Sequence, residues 1–168
     1  KWTAPGIGDR FGAAALVDVL RNLDRSKLKG TATFAFVTQQ WAGARGLQRI
    51  MYQMHPDELI YVGRCMRAPA FGSQRQAAQS FQLHPGDGVL ITIDAPVNIN
   101  AFGQELRQLG DENNLQVATD YSAPLLPRGS YMVQPELPKR TVHLAVATDW
   151  PSTPAEVVQS KDVASLAS

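Results

Sequence analysis

The sequence predicts an α/β fold in the form of a three-layer α/β/α sandwich around a mixed, mostly parallel sheet. Segments with helical spacing of apolar residues alternate with short β-rich apolar segments, and glycine or proline turns separate them. Strands that alternate with helices favour parallel pairing with helices on both faces. A length of 168 residues, with 44% apolar and 18% charged residues, suffices for one full core and requires no second domain.

The first helix is predicted from Phe11 to Leu23, where apolar residues recur every three or four positions. Asp9 is placed to cap its start, and Gly30 ends the linker after it. The next segment, Thr31–Thr38, alternates β-branched and aromatic residues, which predicts a strand. Helix followed by strand is the first unit of the predicted sandwich.

The remaining elements follow the same two patterns. Ala44–Met54 predicts a second helix, with Met51 and Met54 as core residues, and Leu59–Val62 a short strand covered on both faces, since all four residues are apolar. Arg67–Gln82 lacks clear periodicity and is interpreted as a surface excursion or weak helix. The rest of the prediction comprises a turn at His84–Gly88, strands at Val89–Ile93, Leu115–Thr119 and Val142–Ala147, a helix at Ala101–Leu109 closed by Gly110, and a long loop at Ser122–Pro138.

Charge and cysteine content narrow the function classes. The formal net charge is +1, and the only basic concentration lies at a predicted helix end, so nucleic acid is not an expected partner. Cys65 is the only cysteine; it excludes an internal disulfide and is interpreted as a half-buried hydrophobe. No apolar run approaches the roughly 18 residues that span a bilayer, and no leader segment is visible. We therefore expect no membrane partner and a cytoplasmic protein.

The strand predicted at Thr31–Thr38 ends in Gln39, Gln40 and Trp41 before glycines lead into a helix. Open α/β sheets place their ligands beyond the carboxyl ends of strands, so this is where a functional site is expected. The residues there are two neutral amides and an indole. The position is typical of an active site, while the side chains are not.

Three segments carry a resemblance to a known family: Gly6–Gly12 (GIGDRFG), Phe36–Gly46 (FVTQQWAGARG) and Ser152–Val158 (STPAEVV). They resemble motifs of the zinc aminopeptidases that assemble into tetrahedral dodecamers, the glutamyl or deblocking type among the dinuclear zinc exopeptidases. That family has Asp-Asp-Arg opening its first helix, Glu-Glu before Gly-Leu-Arg-Gly, Asp ending the next strand, and His-Ser-Pro-x-Glu-Val-Val near its C-terminus.

The resemblance covers nearly the whole chain and implies a single peptidase-like domain over residues 1–168. It corresponds to the C-terminal part of the family's catalytic domain. The upstream part, which supplies another histidine ligand and the inserted dimerisation domain, is absent. Because the chain begins at Lys1 and stops inside a predicted helix, we expect a fragment of a longer protein.

The residues that carry function in that family are replaced at most of the matching positions. The first aspartate, a metal-bridging ligand, falls on Gly8, and only the second, a supporting residue, is kept as Asp9. The glutamate that acts as general base falls on Gln40, and the glutamate ligand after it on Trp41. The strand-end aspartate and the C-terminal histidine, both metal ligands, fall on Gly63 and Ser152.

These replacements remove the chemistry that two zinc ions need. Zinc is held by carboxylates, imidazoles or thiolates at about 2.0–2.3 Å, and glycine and tryptophan offer no such atom. An amide at Gln40 cannot take a proton from a metal-bound water near neutral pH. Gly8 and Gly63 have a second interpretation, as glycines required by the backbone, which restores no ligand. Trp41 either fills the former cavity with its ring or faces a partner or peptide groove.

The resemblance and its departures lead to two functional hypotheses. The first is a catalytically inactive pseudo-peptidase with a structural or peptide- or protein-binding role and no cofactor. The alternative is a metal-dependent aminopeptidase, a hydrolase with two zinc or cobalt ions held by upstream or atypical ligands. Whether the protein is an enzyme thus stays open, and the replacements favour an inactive protein. Homo-oligomer formation is left open as well. A substitute metal site at predicted strand ends is the remaining option, from Asp94, Asp120, Asp149 and His143.

Overall fold

The computed structural model describes residues 1–39, 42–66, 85–92, 101–120, 138 and 140–168. The predicted excursion at Arg67–Gln82, most of the loop at Ser122–Pro138, His84, and the site residues Gln40 and Trp41 lie outside these ranges. The elements in chain order are β1 (Trp2–Thr3), α1 (Ile7–Asn22), a 3₁₀ turn (Arg25–Lys27), α2 (Arg45–Met54), β2 (Glu58–Met66), β3 (Val89–Thr92), α3 (Ala101–Glu112), β4 (Val117–Asp120), β5 (Arg140–Thr148), β6 (Val157–Val158) and α4 (Ser160–Ala167).

The described part of the main sheet has the strand order β2-β5-β3-β4. β2 pairs with β5 in parallel and β3 with β4 in parallel, while β3 and β5 are antiparallel. The mixed, mostly parallel sheet of the sequence prediction is therefore confirmed. A second, two-stranded sheet joins β1 to β6 and brings the N-terminus beside the C-terminal segment.

Helices cover both faces of the main sheet, which confirms the three layers. On one face α1 and α4 bury Phe11 and Val163 against Val146 of β5, and α3 buries Phe102 against β3 and β5. On the other face α2 packs Leu47 and Met51 against Tyr61 of β2. Tyr61 and its neighbours along β2 alternate between these faces, as the pleat of a strand requires.

α1 begins earlier than the sequence predicts. Its first residue is Ile7, preceded by Gly6 in the left-handed region at φ 65°, and Asp9 lies inside the first turn rather than at the cap. The expectation that Asp9 caps the helix is therefore wrong, because glycine makes the left-handed entry and no side chain caps it. Gly12 is also required, since a Cβ there would lie 3.3 Å from the Val62 carbonyl oxygen.

The strand predicted at Thr31–Thr38 does not form: the segment has no regular secondary structure, and Phe36 is 54% exposed. β-propensity reflects packing and pairing with neighbours more than an intrinsic backbone preference, so a strand-like composition does not by itself produce a strand. The strand at Leu59–Val62 is longer than predicted, and Ile60 is 46% exposed, so it is not covered on both faces. Met54 is likewise exposed at the end of α2, although its spacing predicted a core position.

α3 continues past the glycine that was expected to close it. Gly110 is buried inside the helix. A Cβ at this position would lie 2.5 Å from the side chain of Val117, so the close packing of the helix on Val117 favours glycine. The stop comes instead after Glu112, where Asn114 takes the left-handed conformation at φ 58° and the Leu115 amide donates to the Gly110 carbonyl. Asn114 thus ends the helix, a role that the sequence pattern assigned to Gly110.

Two smaller expectations have clear outcomes. Cys65 is buried, with Leu90 and Ala145 as its apolar neighbours, so it packs as a small hydrophobe. The basic residues at the end of the first helix are all exposed, as a solvated helix terminus requires; they are Arg21, Arg25, Lys27 and Lys29. No helix in the described ranges combines the length and the apolarity needed to cross a membrane.

Candidate functional site

Two of the predicted ligand positions, Gly8 and Ser152, meet around a buried ion pair between Arg64 and Glu156. Gly8 lies in the first turn of α1, Arg64 in β2, and the other two residues in the loop between β5 and β6. Segments that are 92 and 148 residues apart in the chain are therefore in direct contact here. We call this group, together with Asp9, the arginine site.

Glu156 is the acceptor at the centre of the arginine site. Its Oε2 accepts the Gly8 amide at 2.8 Å, and its Oε1 accepts the Ser152 amide and Arg64 Nη1, both at 2.6 Å. The residue is 1% exposed. Burial by itself would raise the pKa of this carboxyl, but the two amide bonds and the guanidinium outweigh it, so the pKa is lowered. Glu156 is therefore an anion whose two oxygens already accept three hydrogen bonds, out of about four acceptor sites.

Arg64 is the only cation of the arginine site. Its side chain is 2% exposed, and its Nε lies 3.4 Å from Asp9 Oδ1, an ion pair on the more open side of the site. Its Nη2 donates to the Ser152 hydroxyl at 3.4 Å. Because a guanidinium is planar and presents its donors in a fixed fork, one side chain contacts two carboxylates and a hydroxyl at once.

The arginine occupies the space that a side chain at Gly8 would need. A Cβ built on Gly8 would lie 2.9 Å from Arg64 Cδ, 3.0 Å from Nη1 and 3.1 Å from Glu156 Oε2. Carbon atoms not bonded to each other pack at about 3.5–4.0 Å, so even a methyl group is too close. An aspartate at this position has no room while Arg64 is in place.

Gly63 precedes Arg64 in β2 but contributes to a different environment, since neighbouring residues of a strand point to opposite faces. A Cβ on Gly63 would lie 3.0 Å from His143 Nε2 and 3.2 Å from Tyr61 Cε1. The rings of Tyr61 and His143 are packed edge to face, with centroids 5.0 Å apart. Gly63 is thus not brought into the arginine site, and its side-chain space is filled by two rings.

The environment of these rings keeps them uncharged. Burial lowers the pKa of His143 to about 4, so the imidazole is neutral at physiological pH. The pKa of Tyr61 is raised, first by burial and then by the negative charge of Asp9. Neither group is prepared to act as a base or nucleophile near pH 7.

The backbone is strained in the two loops that carry the predicted site. Gln39 and Ala44 (φ 59° and 54°) flank the segment before α2, and Trp150 and Ser152 (φ 54° and 63°) lie before Glu156. Non-glycine residues in this region cost about 1–3 kcal/mol each and persist where surrounding contacts impose them. At Ser152 the imposing contact is its amide bond to Glu156.

The sequence had pointed to most of these positions but missed the residue that joins them. The resemblance indicates Gly8, Asp9 and Ser152, and it includes Glu156 only as part of the matching segment Ser152–Val158. Arg64 was overlooked, although a charged residue inside the otherwise apolar run from Leu59 to Cys65 is a visible signal. In an apolar strand, such a charge requires a buried partner.

The described residues do not fit the two zinc ions that the resemblance implies. Within the ranges that the structure describes, no group of three or more histidine, cysteine, aspartate or glutamate residues could hold a metal. Of the substitute site, Asp94 and the side chain of Asp120 lie outside what the structure describes, and His143 and Asp149 are six residues apart along an extended segment, about 20 Å by the rise of a strand. Glu156 and Asp9 already flank a guanidinium, whose positive charge opposes a divalent cation.

The fold is similar to those of solved aminopeptidases. The TET1 peptidase of Pyrococcus horikoshii, described as able to assemble into a tetrahedron or a large octahedral shell, matches with a TM-score of 0.77 at 17% identity, over 98% of this chain and 47% of that one. An aminopeptidase from the archaeon Desulfurococcus kamchatkensis matches at 0.75 and 15% identity, over 98% and 46%. Yeast aminopeptidase 1 matches at 0.61 and 17%, over 98% and 42%.

This chain therefore spans somewhat less than half of the length of each of these structures. Comparison with curated proteins finds no match. A family model described as M42 glutamyl aminopeptidase matches residues 2–168, which is almost the entire sequence. The chain thus belongs to the M42 glutamyl aminopeptidase family.

Proposed function

We propose that this chain is a non-catalytic member of its family, a pseudo-peptidase domain with a structural or peptide- or protein-binding role. The observation that carries the proposal is the Arg64 guanidinium, 2.6 Å from Glu156 and tight against Gly8. Gly8 is the position at which the family resemblance calls for a metal-bridging aspartate. The vacated space holds a cation belonging to the protein itself.

Electrostatics support the absence of a tightly bound metal pair. Two unit charges 4 Å apart interact by about 4 kcal/mol at an effective dielectric constant of 20, and a divalent ion doubles that repulsion from Arg64. The two carboxylates of the site offset part of this repulsion, but the Glu156 oxygens already accept two backbone amides and the guanidinium, which leaves them poorly available as metal ligands. The proposed loss of the base at Gln40 and of ligands at Trp41, Gly63 and Ser152 acts in the same direction.

The test is metal analysis of the purified full-length protein, combined with turnover of amino-acid p-nitroanilides with and without added zinc, cobalt or manganese. We expect less than stoichiometric metal and no metal-dependent turnover. The Pyrococcus horikoshii TET1 peptidase, run in the same buffers, serves as the positive control. Stoichiometric metal with metal-dependent hydrolysis would refute the proposal and establish the alternative, an aminopeptidase whose ligands come from elsewhere in the protein.

Assembly is a separate part of the proposal. Solved structures of similar fold are described as a dodecamer and as a tetrahedron or octahedral shell. We propose that the full-length protein also forms a homo-oligomer, in which a domain without activity still serves as a building unit. Sedimentation analysis of the full-length protein measures this directly, and a monomer at micromolar concentration contradicts it.

A further inference from the structure

We propose that the Arg64 side chain takes the structural place of a metal: its guanidinium holds together the chain segments around the site, and when that side chain is removed the space it leaves binds a free guanidinium-type cation. The inference rests on the proposed function only in so far as Arg64 is said to take the place of a bound metal. The segments concerned are the first turn of α1, the strand β2 and the loop between β5 and β6.

The bonding pattern shows why removal of one side chain would affect all three segments. The Glu156 carboxylate receives one amide from α1, one from its own loop and the guanidinium from β2, at 2.6–2.8 Å. Without the guanidinium, a carboxylate that is 1% exposed loses the one cationic partner it has among the described residues. Removing one partner of a buried ion pair is strongly destabilising, because the remaining charge stays in a poorly solvated position.

The shape and charge of the site select a guanidinium over other cations. Two of its nitrogens donate hydrogen bonds, Nη1 to Glu156 and Nη2 to the Ser152 hydroxyl, and its Nε lies at ion-pair distance, 3.4 Å, from Asp9. A compact ammonium lacks this fork and cannot span the same acceptors. A zinc ion requires about four ligand atoms in tetrahedral geometry, and the site offers two carboxylates and one hydroxyl, of which Glu156 already accepts two amides.

The first experiment is chemical rescue in the full-length protein. Arg64→Ala is expected to lower the Tm by about 10 °C, the usual scale for breaking a buried pair in a domain of this size. Added methylguanidinium should raise the Tm of this variant by about 4 °C at ten times its dissociation constant. The same addition should leave the wild-type protein unchanged or slightly lower its Tm.

Arg140→Ala is the matched control. Arg140 also binds two carboxylates, Glu58 at 2.6 Å and Glu105 at 2.7 Å, but its side chain is 38% exposed. Water solvates those carboxylates when the arginine is removed, so methylguanidinium should not rescue this variant. Rescue of both variants alike would show a general solvent effect and overturn the proposal.

If Arg64→Ala does not fold, the test uses two other variants. They are the single variant Arg64→Met and the double variant Arg64→Met/Glu156→Gln. Methionine fills much of the same volume without charge, so the single variant should remain clearly less stable than wild type. The double variant should recover much of that loss, because the unpaired charge is gone. A single Arg64→Met variant as stable as wild type would refute a structural role for the guanidinium.

Zinc separates this inference from the proposed function. If the wild-type protein binds stoichiometric zinc and shows zinc-dependent hydrolysis while methylguanidinium still rescues Arg64→Ala, the pseudo-peptidase proposal fails and the guanidinium site stands. If zinc raises the Tm of Arg64→Ala and methylguanidinium does not, the site is a metal site that Arg64 merely blocks, and the inference is wrong.

Discussion

The neutral imidazole of His143 makes the stability of this domain depend on pH in a window that can be calculated. The pKa of His143 is about 4 in the folded protein, against about 6.5 in an unfolded chain. Between these two values the unfolded state binds a proton that the folded state does not, so stability falls as the pH decreases through this range. The perturbation that removes the effect is His143→Gln, which has no titrating ring.

The size of the effect follows from the two pKa values. At pH 5.5 the difference in proton binding destabilises the folded state by about 1.4 kcal/mol relative to pH 7.5. For a domain of this length, that corresponds to a Tm lower by about 4 °C. Glu156 interferes little, because its lowered pKa costs stability mainly as the pH falls through about 4.3, the pKa at which an unfolded glutamate is half protonated.

The assay is urea unfolding at fixed ionic strength at pH 7.5, 6.5 and 5.5. Wild type should lose the calculated stability, and His143→Gln should show a flatter profile, whatever its absolute stability. His55→Gln is the control, because it makes the same substitution at an exposed histidine at the end of α2. A His143→Gln profile parallel to that of wild type would refute the buried neutral imidazole.

Three further substitutions, with Gly30→Ala as a control, test close contacts and ion pairing, and each is measured by urea or thermal unfolding. Gly8→Ala is expected to lower the free energy of unfolding by about 1–3 kcal/mol, because the new methyl group overpacks against Arg64. This cost exceeds the gain in helix propensity, which is at most about 1 kcal/mol. The control is Gly30→Ala, which should change stability little because no atom lies within 4 Å of the new Cβ. Gly88→Ala should cost at least as much as Gly8→Ala, because φ is +97° and the new Cβ would meet the backbone carbonyl just before β4. Arg140→Ala should lower the Tm only slightly, and the difference should disappear in about 0.5 M salt, since exposed ion pairs are screened.

Local sequence patterns were sufficient to predict the elements that bury one face against a neighbouring element. α2 falls at Arg45–Met54, one residue from its predicted start, because its apolar stripe packs directly on Tyr61. β5 extends the predicted Val142–Ala147 by only a few residues, as expected for the strand that pairs on both sides. Alternation and helical spacing are informative where one face is buried.

The same patterns failed where tertiary contacts decide. Thr31–Thr38 has the composition of a strand without forming one, and Gly110 is a helix-interior residue selected by the proximity of Val117. The candidate site shows this limit most clearly. The sequence register drew attention to Gly8 and Ser152, but only the folded chain shows that Arg64 lies between them, because its partner is 92 residues away.

The close approach of Arg64 to Gly8 also constrains the order in which substitutions can accumulate. An aspartate introduced at Gly8 alone would meet both the arginine side chain and the Glu156 carboxylate, so it would be rejected before it could contribute to metal binding. Loss of Arg64 alone would leave Glu156 without its cation. A carboxylate at Gly8 therefore requires a second change at Arg64, and each of the two changes is unfavourable by itself, so the pair is not easily reached by single steps.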